Sequence, residues 1–152
     1  MEEIKITAIS KIKINPDKTA IINFSQSDDL TSAEITFKGK DKVTEPFYNK
    51  FQENIEGLID SIPILESDKS KLTMNTIKFV YDKEKEIENI QYTAKYSINI
   101  NDNKADIVTP LLSLSTKKEE HKKLLHEVIR LAKSYVNGDT STIQMKIFKH
   151  NS

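Results

Sequence analysis

Apolar and charged residues alternate over residues 4–14, where Ile4, Ile6, Ile12 and Ile14 are interleaved with Lys5, Lys11 and Lys13. A period of two sends successive side chains to opposite faces, so the segment predicts a half-buried strand. Asn15-Pro16-Asp17-Lys18 carries turn chemistry. Residues 19–25 return as a second strand through Ile22 and Phe24, and Ile35 and Phe37 mark a third over 33–38. The period then changes. Phe47, Phe51, Ile55, Leu58, Ile59 and Ile62 recur at steps of three and four, the stripe of an amphipathic helix. Thr44 can cap that helix, Pro46 suits its first turn, and Pro63 ends it.

The order then recurs. Residues 72–81 predict a strand, and 82–86 a charged turn. A long strand follows over 87–100, with Ile90, Tyr92, Ala94, Tyr96, Ile98 and Ile100 on one side. After a turn at 101–104, residues 105–114 predict another strand. Pro110 removes a ladder donor there, which points to an edge or a bulge. Thr116 and Glu119 form a capping box for a helix over 116–136, and Asn137-Gly138 stops it. Its stripe is Leu124, Leu125, Val128, Leu131, Ala132 and Tyr135, and residues 142–148 predict a last strand.

Laid over each other, the halves match. Ile9, Ile12, Ile22 and Phe24 precede Ile77, Val80, Ile90 and Tyr92 by 68 positions, and Phe51, Ile55 and Leu58 precede Leu124, Val128 and Leu131 by 73. The expectation is an α+β protein forming a single domain, 1–152, built from two β-β-β-α repeats, 4–63 and 72–148. Each repeat has an antiparallel sheet covered by one helix, and a C-terminal strand is added. Either one continuous pseudo-twofold sheet or two packed lobes would serve. Units of about 60–70 residues are thin for independent cores, which favours a shared one.

Composition narrows the chemistry. The 152 residues carry 23 basic and 23 acidic side chains, so no net field draws the chain to nucleic acid or an anionic membrane. Cysteine is absent, which removes disulfides, thiolate nucleophiles and cysteine-ligated zinc. The start, Met1-Glu2-Glu3-Ile4-Lys5, lacks the basic and apolar run of a signal peptide, and no stretch approaches the ~18 apolar residues of a membrane span. A cytoplasmic protein without membrane contact is expected. Only one of the 23 basic residues is arginine, Arg130, which argues against sequence-specific DNA reading.

No catalytic, metal or cofactor constellation emerges. His121 and His126 point apart on a helix, His150 lies in the tail, and all three read as solvated positions. Asp28-Asp29 has no second cluster at a metal-ligand spacing, and Gly39, Gly57 and Gly138 cannot cradle a phosphate. The chain therefore reads as a non-enzyme without a cofactor. Charge is nonetheless uneven. Lys117, Lys118, Lys122, Lys123, Arg130 and Lys133 cluster on the second helix, as a solvated face or as a contact for phosphate or an acidic partner. Tyr92 and Tyr96, if exposed on a sheet, could stack bases. As core residues they would bury their rings.

Gln144-Met145-Lys146-Ile147-Phe148 resembles the peptide by which bacterial DNA-metabolism proteins dock on the replicative sliding clamp. By that resemblance Gln144 fixes register, Met145 takes the aliphatic position, and Ile147 and Phe148 fill the pocket. Ile143, Met145 and Ile147 also alternate as a plain strand, and a docked strand cannot be a free peptide. In its lysine-, isoleucine- and asparagine-rich style the chain resembles small proteins of Gram-positive phages and prophages. The sheet-plus-helix unit is similar in outline to Whirly-type binders of single-stranded DNA. The expected function is non-enzymatic binding to a host protein of replication or defence, by a homodimer. The alternatives are a single-stranded nucleic-acid-binding accessory protein and a small-ligand sequestering protein.

Overall fold

The computed structural model describes residues 4–27, 30–56, 72–109, 112–115 and 119–140. Among these residues, seven strands and two helices follow in the order β1 (Ala8–Ile14), β2 (Thr19–Ser27), β3 (Ser32–Lys42), α1 (Glu45–Gln52), β4 (Leu72–Tyr81), β5 (Ile87–Ile100), β6 (Asn103–Val108), β7 (Leu112–Ser115) and α2 (Glu119–Val136). All seven strands join one antiparallel sheet. Its order is β3-β2-β1-β4-β5-β6, with β7 also on β5. Because β5 is long, its outer edge serves two strands: Lys95–Ile100 pair with β6, and Asn89–Tyr92 pair with β7.

This corrects the expectation of two β-β-β-α repeats with separately covered sheets. β1 and β4 are joined in register, Lys11 opposite Lys78, Ile12 opposite Ile77 and Lys13 opposite Thr76. Two separate three-stranded sheets would leave these edges as unpaired templates, and joining them removes both. The helices do not follow the supposed units either. α1 lies against β4, where Gln52 bonds the backbone of Met74. α2 crosses from β5, where His121 meets Tyr92, to β2 and β3, where Tyr135 meets Ala20 and Asp41. The helical rise from His121 to Tyr135 is about 21 Å. That matches the ~19 Å spanned by the four strand spacings between β5 and β3. One helix therefore ties both halves into a single core.

The core lies between the sheet and the helices. Ile9, Ile12, Ile22, Phe24, Ile77, Ile90, Tyr92 and Ala94 are buried from the sheet, and Phe47, Phe51, Leu125, Val128, Ala132 and Tyr135 from the helices. Two β-bulges make this face continuous. Ile9 and Ile12 differ in parity, as do Met74 and Ile77, so a regular strand would send one of each pair to solvent. An extra residue at Ser10 in β1, and another at Asn75 in β4, brings both members to the core face.

Local chemistry sets the ends. The Thr44 hydroxyl accepts from the Phe47 amide at 3.4 Å, with Pro46 in the first turn, so α1 begins as expected. In the β1–β2 turn Asp17 accepts from the Thr19 amide and hydroxyl, which holds its carboxyl below the usual range. The strand expected over 105–114 is two strands, β6 and β7, separated around Pro110, a residue outside those described. The C-terminal strand expected over 142–148 also lies outside the described residues. No helix among the described residues is long and apolar enough to cross a membrane.

Candidate functional site: the open face of the sheet

Both helices lie on one face, and the other carries the residues that alternate with the core. Residues opposite each other in an antiparallel ladder share a face, so the registers fix its rows. One row runs Thr36, Asn23, Lys11, Lys78, Gln91 across β3, β2, β1, β4 and β5. The next runs Lys38, Ile21, Lys13, Thr76, Thr93. Lys11, Lys38 and Lys78 are exposed and Lys13 is half-buried. None of the four makes an ion pair among the described residues, whose pairs are Lys50–Glu53, Lys122–Glu119 and Arg130–Glu127. Like charges directly opposite are destabilising. Lys11 against Lys78 therefore concentrates positive potential at the middle of the sheet.

The second helix offers less. Lys122 pairs with Glu119 at 3.6 Å, and the Arg130 guanidinium donates twice to the Glu127 carboxylate, which lowers the Glu127 pKa and raises that of Arg130. Lys123 is exposed and Lys133 half-buried, while Lys117 and Lys118 lie outside the described residues. Gln144, Met145, Ile147 and Phe148 lie outside them too, as do Asp28, Asp29 and His150.

Tyr92 is fully buried and Tyr96 is packed against the core, so neither ring stands free on the open face. The Tyr92 hydroxyl instead joins three elements. It donates to Asn54 Oδ1 at 3.1 Å and lies 2.7 Å from His121 Nε2, while Asn54 Nδ2 donates to the Lys50 and Phe51 carbonyls. That ordering requires imidazole protonated at Nε2, donating to the phenol oxygen. Burial pushes the Tyr92 pKa far up, so its proton stays. The trio works as a clasp between the turn after α1, β5 and α2. His126 is exposed, as expected, but His121 is half-buried. The signal for this was present: His121, Leu125, Val128, Ala132 and Tyr135 continue one helical stripe.

A second feature sits where β1 leaves the sheet. Pairing of β1 with β4 ends at Lys13–Thr76, and the chain turns away through Asn15 and Pro16. Among the described residues, no strand pairs with the edge of β4 before Thr76. Gln52 covers part of it: its Oε1 accepts from the Met74 amide at 2.8 Å and its Nε2 donates to the Met74 carbonyl at 3.3 Å. Beside it opens a cavity of about 220 Å³, lined by Pro16, Tyr48, Asn75, Lys95, Ser97 and Asp106 among others. Among the described residues no three His, Asp or Glu side chains gather as metal ligands would.

Comparison with family models, with curated proteins and with solved structures finds no match.

Proposed function

We propose that the protein is a binding protein whose open sheet face holds an acidic surface of another protein. The observation that carries this reading is the in-register pair Lys11–Lys78, flanked by Lys13 and Lys38, without carboxylate partners among the described residues. A fold that keeps two lysines opposite each other accepts a local electrostatic cost, which an acidic partner would convert into attraction. Asn23, Thr36 and Gln91 in the same row add hydrogen-bonding groups suited to carboxylates. Single-stranded nucleic acid is the weaker reading, because sequence-tolerant binders combine a basic groove with stacking aromatics. Of the sheet tyrosines, Tyr92 is buried in the core and Tyr81 and Tyr96 pack against it. If the setting is the phage-type one that the sequence style resembles, the partner is a host protein of replication or defence.

The test is fluorescence anisotropy with labelled poly-glutamate and, separately, labelled oligo-dT, at ~50 mM salt and above. Poly-glutamate should bind, weaken as salt rises, and lose binding on the double substitution Lys11→Glu and Lys78→Glu. Lys122→Glu with Lys123→Glu should leave binding unchanged, which separates the sheet from the helix. Tighter binding of oligo-dT would transfer the face to nucleic acid. Flat titrations with both would remove the reading.

A further inference from the structure

We propose that the cavity beside the Asn75 bulge is a site for a small zwitterion of the free amino-acid class. The inference is independent of what the open face binds.

The bulge places Asn75 where an alternating strand would not. Met74 is opposite Ala94 and Thr76 opposite Thr93, so Asn75 has no partner of its own across the ladder. Its side chain is only 8% exposed, and Nδ2 donates to the Thr93 hydroxyl at 3.1 Å. Its Oδ1 is buried, without a hydrogen-bond partner among the described residues. A buried acceptor left unmade lowers stability, and bulges recur where a strand re-aims a side chain toward a site. Here the bulged residue lines a cavity.

The cavity supplies both signs of charge. Lys95 lines it without an ion pair among the described residues. Asp106 lines it too, its carboxylate steadied by the Ser97 hydroxyl at 2.7 Å. Lys95 and Ser97 are two apart on β5, and Asp106 is opposite Ser97, so ammonium and carboxylate are diagonal neighbours on one face. A ligand with one anionic and one cationic end satisfies both, with the Asn75 carboxamide part of the polar wall beside it. Ile14, Pro16 and the Tyr48 ring give an apolar wall for a short side chain. Gln52 is already engaged with Met74. Size sets the class. At about 220 Å³ the space falls below the ~300 Å³ at which drug-sized pockets begin, which favours a small ligand.

The experiment is an amide and side-chain NMR titration of the full chain with each of the free amino acids, glycerol and AMP serving as controls. At least one amino acid should shift the Asn75 side-chain NH2 and the Thr93, Lys95 and Asp106 amides in a saturable way. Lys95→Gln and Asp106→Asn should each weaken it about tenfold or more. Asn75→Leu should weaken it at least tenfold while the protein remains folded, because Leu keeps the branching and replaces a polar wall of the cavity by an apolar one. Lys11→Glu, outside the cavity, should leave it intact, which keeps this test distinct from that of the open face. Absence of saturable shifts up to ~10 mM, shifts equal to those from glycerol, or undiminished binding by Asn75→Leu would each overturn the proposal.

Discussion

The phenol of Tyr135 on α2 lies directly against the backbone of Gly39 on β3. A Cβ at Gly39 would fall inside the space of the Tyr135 hydroxyl and the adjoining ring carbons. The hydroxyl is used there: it donates to the Asp41 carbonyl at 2.5 Å and accepts from the Ala20 amide at 3.3 Å. Phe37 and Phe47 meet the ring edge-on, each at 6.0 Å. Gly39→Ala should therefore destabilise the protein by about 2–3 kcal/mol, as overpacking does. In a Tyr135→Ala background the same change should cost under about 0.5 kcal/mol, since the obstacle is gone. Urea midpoints for the four-member cycle measure the coupling. Additive effects would mean that the ring does not occupy this position.

Gln52 stands in for a strand at the point where β1 departs, with its carboxamide on both backbone groups of Met74. Gln52→Ala should cost roughly 1–2 kcal/mol, because two backbone groups lose partners at a partly buried edge. Hydrogen exchange supplies the local readout. The Met74 amide should exchange faster in the variant, while the Ile77 amide, deep in the β1–β4–β5 ladder, should change only as global stability does.

Three phenols are held protonated by burial. Tyr81 is pushed up to about 12, and Tyr92 and Tyr135 are raised as well, although the Ala20 amide opposes the effect at Tyr135. The direction of the linkage follows from the raised values. Below the ordinary value of 10.0 both states hold the proton, and this contribution is complete and independent of pH. Above it the unfolded chain releases protons that the native state keeps. Stability then falls by up to about 1.4 kcal/mol per pH unit for each such phenol, for Tyr81 over the window from 10 to about 12. In a spectrophotometric titration these tyrosines should ionise late and together with loss of the far-ultraviolet circular dichroism signal. All five tyrosines titrating near 10 with the fold intact would contradict the burial.

The strands were legible where alternation was long. β4 and β5 begin and end at the residues expected; in β5 the alternation runs unbroken through Ile90, Tyr92 and Ala94, and β4 ends at the charged turn that follows it. The pairing of β1 with β4 was not legible. Backbone edges carry no side-chain code, and Lys11 and Lys78 are neighbours only once that edge is joined. For the same reason the cationic face stayed hidden. Each lysine reads as an ordinary solvent-facing position within its own strand, and only register assembles them, whereas the lysines of 117–133 stand close together in the sequence itself. The Asn75 bulge did leave a trace. Leu72 and Met74 are even-numbered, Ile77 and Phe79 odd-numbered, and all four are buried. A change of parity within one strand requires an inserted residue.

The Lys11–Lys78 pair separates binding from stability, because the two should move in opposite directions. Lys78→Glu replaces a like-charge neighbour by an opposite one across the β1–β4 ladder. It should stabilise the fold by about 0.5–1 kcal/mol, seen as a higher urea midpoint at unchanged m. The gain should shrink in ~1 M salt, where exposed charges are screened beyond about 3 Å. The same substitution should reduce poly-glutamate binding at least tenfold. Lys123→Glu, exposed on α2, should change neither quantity measurably, since an isolated surface charge contributes little. A less stable Lys78→Glu protein that still binds poly-glutamate would show that the pair is an incidental feature of the ladder. A more stable protein that has lost its acidic partner would show that the fold retains the repulsion because the partner needs it.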